Sequence, residues 1–98
     1  MADVLTLTTF APLVGQKFQA TSANDEKEEL ELIEADATPV HGNAPRQDPF
    51  SLVFRAAKGC GLWQGIFQLE HKHIGCAELF LVPIGEDEEG VYFQALFN

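Results

Sequence analysis

The densest grouping of reactive side chains is Glu70-His71-Lys72-His73, followed by Cys76, with Cys60 earlier in the chain. Two imidazoles and a thiolate would supply three zinc ligands, and on an extended strand His71 and His73 would point to the same side. The spacing H-x-H-x-x-C, however, matches no structural zinc signature. His71 also continues a face begun by Phe67 and Leu69 and runs toward a turn at Gly75, which favours a structural role at a strand end.

Other constellations are weaker. Cys60 or Cys76 beside His71 or His73 would give a nucleophile and a base, but no local motif supplies the third group that orients the base. Gly59-Cys60-Gly61 with Gly65 lacks the spacing of a phosphate-binding loop and reads as a tight turn. The acidic runs Asp25 to Glu31 and Glu86 to Glu89 lack EF-hand spacing; they read as solvated tips that discourage edge aggregation. A Cys60–Cys76 disulfide would need Cα atoms within ~7 Å, and a cytoplasmic setting argues against it. No catalytic residue and no cofactor emerges, so the chain is not expected to be an enzyme. Trp63 either closes the core or stands exposed as a contact anchor.

The elements that would carry these residues are short strands bounded by Gly, Pro, Asn and Asp. Val4 to Thr8 is predicted as a first strand with Leu5 and Leu7 on one face. In the next segment, Thr9 would cap a single helical turn, Pro12 fits only early in it, and Gly15 ends it, with Phe10 and Leu13 plugging the core. Gln16 to Thr21 makes a strand, and Ser22 to Glu29 a hairpin tip. Glu29 to Ala37 alternates around Leu30 and Leu32 and then shifts phase, as a bulge would cause; a helix is the rival reading. Thr38 to Pro49 is the longest loop, rich in Pro and Gly. Phe50 to Ala57 and Trp63 to His71 show clean alternation. Cys76 to Ile84 is apolar on both faces apart from Glu78 and is expected to be a central strand, whereas Val91 to Phe97 alternates again.

The connections are too short for crossover helices, so the expected fold is all-β. The fold reading is one small antiparallel barrel or sandwich of six to seven strands spanning 1–98, with a helical turn near residues 9–14. The 98 residues suit one domain, and 46% hydrophobic content with eight Phe argues against disorder. A net charge of −9, from 6 Lys plus Arg against 15 Asp plus Glu, disfavours nucleic acid and anionic lipid as partners. No apolar run approaches the ~20 residues that cross a bilayer, and the N-terminus does not look like a secretion signal. A cytoplasmic location is the resulting expectation.

Thr9-Phe10-Ala11-Pro12-Leu13-Val14-Gly15, Pro49-Phe50-Ser51-Leu52-Val53-Phe54-Arg55, Gln64-Gly65-Ile66-Phe67-Gln68-Leu69-Glu70-His71, Gly75 with Leu79 to Gly85, and Phe97-Asn98 together form a pattern. It resembles a family of small uncharacterised bacterial domains, about a hundred residues long, often encoded beside phage-tail-collar-domain proteins. The resemblance implies a link to tail-like particles or adhesins and carries over no catalytic residue. His71 belongs to the matched pattern; the cysteines do not.

These readings combine into a non-enzymatic binding or structural protein, an accessory or assembly factor for phage-tail-like or adhesin proteins, or a minor component of such particles. Its partner would be a tail-collar or adhesin-like protein, held along an unpaired strand edge, with Trp63, Arg55 and His71 as candidate contacts. A homo-oligomer is a further expectation. The alternative is a small barrel that binds a ligand or metal through His71, His73 and Cys76.

Overall fold

The computed structural model describes residues 7–37, 50–59 and 64–97. A short helix α1 (Leu7–Phe10) runs into a 3-10 turn (Ala11–Leu13). Six strands follow: β1 (Lys17–Thr21), β2 (Lys27–Ala37), β3 (Phe50–Ala56), β4 (Gly65–His71), β5 (Gly75–Asp87) and β6 (Gly90–Phe97). All pairings are antiparallel, and the order β1-β2-β3-β6-β5-β4 closes into a barrel.

Two long strands turn the corners. β2 pairs with β1 through Lys27 to Glu31 and with β3 from Leu30 to Ala37, with its register shifting between Leu32 and Glu34. The expected bulge therefore sits at Ile33, and the helical alternative for this segment is overturned. β5 makes a sharper exchange: Gly75 to Leu81 pair with β4, whereas Val82 to Asp87 pair with β6, with a second shift between Pro83 and Gly85. Extra residues at such positions bend a strand and let it pass from one sheet to the next.

Alternation builds the core as the sequence predicts. Phe50, Leu52, Phe54 and Ala56 of β3 are buried, as are Phe67 and Leu69 of β4 and Phe93 and Ala95 of β6. Phe10 plugs one end, its ring centroid 6.5 Å from Phe18, 6.1 Å from Phe50 and 6.0 Å from Phe97. Leu13 is buried beside it, and Pro12 lies in the first positions of the 3-10 turn, where its missing N–H costs no hydrogen bond.

Two expectations about the N-terminal segment need correction. Leu7 and Thr8 are helical rather than part of a strand, and Thr9 lies inside α1 rather than capping it. Burial of Phe10 and Leu13 against the barrel end outweighs the weak local alternation around Leu7. Val4 to Thr6, the Thr38 to Pro49 loop and Cys60 to Trp63 lie outside the described residues.

The β5–β6 turn demands glycine. A Cβ at Gly90 would run into the backbone carbonyl of Ala56 on β3, so only a hydrogen fits where the two strands approach. Gly90→Ala is expected to destabilise the barrel by about 1–3 kcal/mol, the usual penalty of overpacking. Urea unfolding read by circular dichroism checks this, as a lower midpoint with an unchanged slope.

Candidate functional site

β4 ends at His71, and residues 72–74 form the turn into β5, closed by the Ile74 N–H donating to the His71 carbonyl at 3.1 Å. Gly75, at φ 71°, completes this turn in the left-handed region that glycine favours. His71 Nδ1 accepts the His73 backbone N–H at 3.1 Å, and Nε2 lies 2.7 Å from Gln16 Oε1. This pattern suits the neutral tautomer with its proton on Nε2. The ring also lies against Phe18, with centroids 4.7 Å apart. Burial, reinforced by the charges of His73 and Lys72, pushes the imidazole pKa below its ordinary value of 6.5.

His71 and His73 do not share a strand, because β4 stops at the first of them, although their rings come within 5.3 Å. Cys76 pairs with Glu70 across β4 and β5, one step out of phase with the buried Leu69 and Ala77 pair, and is exposed. The pleat thus sends the thiol to the face opposite the row that His71 continues. Among the described residues, no group of three His, Cys, Asp or Glu side chains is placed to hold a metal ion. An open groove of about 670 Å³ beside His71 is lined by Lys17, Lys27 and Lys72 together with Glu28, Glu29 and Glu70.

Arg55 is engaged within the chain. Its guanidinium donates to Glu31 Oε1 at 2.9 Å and to Glu89 Oε2 at 3.3 Å, tying β3 to β2 and to the β5–β6 turn. The Glu31 hydrogen bond, more than any other contact, raises its pKa above the ordinary value. Beside it, Asp87 accepts the Glu89 N–H at 2.8 Å and the Tyr92 hydroxyl at 2.9 Å, and these donors hold its carboxyl below the usual range. A partner carboxylate at Arg55 would have to displace Glu31 or Glu89. Trp63 lies outside the described residues.

The outward face of β4 and β5 is the feature that sequence reasoning missed. Ile66 and Phe80 are cross-strand partners, each 54% exposed, and they form an apolar pair in solvent. Among the described residues, Gly75 to Leu81 pair only with β4, so the other edge of this half-strand has no paired strand. β5 does take the central place expected of it, between β4 and β6, but the outward face of this half, with Glu78 and Phe80, is exposed. The signal was present in the apolar residues on both faces, but burial and exposed stickiness share that pattern.

A family model for a domain of unknown function (DUF6916) matches residues 5–97, and the chain belongs to that family. No curated protein and no solved structure matches it. No helix among the described residues is long and apolar enough to cross a membrane.

The lowered His71 pKa has a signed consequence. The unfolded chain takes up the proton near 6.5 and the fold binds it more weakly, so stability declines as pH falls below 6.5 and levels off past the folded midpoint. An NMR titration should place the His71 midpoint below 6.5, and His71→Gln should flatten the decline in that window; a midpoint at or above 6.5 would contradict the assigned surroundings.

Proposed function

We propose that this member of the family is a non-enzymatic binding protein that holds an extended segment of a protein partner along the free edge of β5, and that it acts in the cytoplasm. The observation that carries the reading is the handover within β5, which among the described residues leaves Gly75 to Leu81 paired with one strand alone, beside the exposed Ile66 and Phe80 pair. Unpaired strand edges recruit further strands: backbone hydrogen bonds supply affinity, and alternate side chains supply choice.

A tail-collar or adhesin-like protein is the first partner to test, because domains that resemble this chain are often encoded beside tail-collar proteins. Such a role would be accessory: the small barrel keeps a partner's strand paired during assembly, or joins the particle as a minor part. Of the candidate contacts, His71 lies at the β4 end beside Gly75, the first residue of this edge, whereas Arg55 serves the fold.

Hydrogen exchange on the chain alone and with a purified tail-collar-domain protein tests the proposal. Free, alternate amides within 75–81 should exchange quickly; in the complex they should be protected, and Phe80→Lys should weaken binding tenfold or more without changing the far-UV spectrum. Protection confined to other strands, or full binding by Phe80→Lys, would overturn it.

A further inference from the structure

We infer that Glu78 determines what the free edge of β5 accepts: it rejects a second copy of this chain and selects a strand that carries Lys or Arg. This inference rests on the strand-edge reading above. Glu78 is the central residue of the seven from Gly75 to Leu81, is exposed, and faces the neutral Gln68 across β4. Among the described residues it makes no ion pair.

Two copies that paired their β5 edges antiparallel about a twofold axis would place Gly75 opposite Leu81, Cys76 opposite Phe80 and Glu78 opposite itself. Directly opposed residues on paired strands have Cβ atoms roughly 4.5–5.5 Å apart, and like charges at that distance destabilise the pair. Moving the axis to Ala77 or Leu79 relieves the opposition but shortens the ladder by two residues. The net charge of −9 on each copy adds long-range repulsion. Self-pairing is therefore discouraged at the register that would otherwise be longest.

A foreign strand meets different terms. A Lys or Arg opposite Glu78 turns the same carboxylate into an attractive cross-strand pair, and an apolar residue two positions along covers Phe80. The occupant that fits is an extended segment of another protein, alternating apolar and basic residues on its outward face. Charge complementarity separates this occupant from a second copy.

Sedimentation velocity from micromolar to millimolar concentration tests the inference on the full chain. The natural chain is expected to stay monomeric. Glu78→Thr should dimerise at least tenfold more tightly, with hydrogen-exchange protection in 75–81. Glu78→Lys alone should remain monomeric, but mixed with the natural chain it should form a heterodimer that weakens as salt is raised. A dimeric natural chain, a monomeric Glu78→Thr with no heterodimer in the mixture, or protection outside 75–81 would overturn the role of Glu78. Partner binding that still depends on Phe80 would, in that event, leave the strand-edge reading standing. Far-UV spectra of both variants confirm the fold, since the side chain points into solvent.

Discussion

The barrel depends on two strands that each serve two neighbours in succession. A sheet of six strands closes only if some of them bend sharply, and the two long ones, β2 and β5, do so at the extra residues Ile33 and Ile84. Ile33 remains half-buried, whereas Ile84 is 52% exposed, so the second bend turns a large apolar side chain outward. Closure between β1 and β4 uses three residue pairs, Gln19 to Thr21 with Gln68 to Glu70. With so short a seam, the plug made by Phe10 against Phe18, Phe50 and Phe97 shares in holding the end of the barrel shut.

Much of this was legible in residue order. β3, β4 and β6 alternate cleanly because each has one face in the core and one in water, and the period of two survives any tertiary context that preserves that condition. The bulge in β2 could be read because Leu32 and Ala35 break phase, and no period-two strand can bury both without an extra residue. The Ser22 tip was legible too. Its hydroxyl accepts the N–H groups of Asn24 and Glu26, and Asp25 takes φ 63°, a conformation that Asp tolerates better than most residues.

What could not be read were properties that depend on distant partners. Phe80 and Leu81 look alike locally, yet one is in solvent and the other in the core, because the strand's inner face is defined by the barrel. The histidine cluster failed for a related reason. The shared side predicted for His71 and His73 needs the strand to continue, and the turn at residues 72–74 ends it. Arg55 was a candidate partner contact by sequence, and only folding brings Glu31, from 24 residues away, and Glu89, from 34 away, to its guanidinium.

The device that closes the barrel and the feature proposed to bind a partner are therefore one. β5 must leave β4 to reach β6, and at the handover near Leu81 its first half is left, among the described residues, with a single paired neighbour. An edge created in this way cannot be removed by substitution without reopening the barrel; it can only be managed through side chains. Phe80 keeps the edge attractive, and Glu78, two residues away on the same face, makes that attraction conditional on charge. In a chain whose acidic residues exceed its basic ones by nine, a carboxylate at the centre of its own sticky edge serves solubility and selection together.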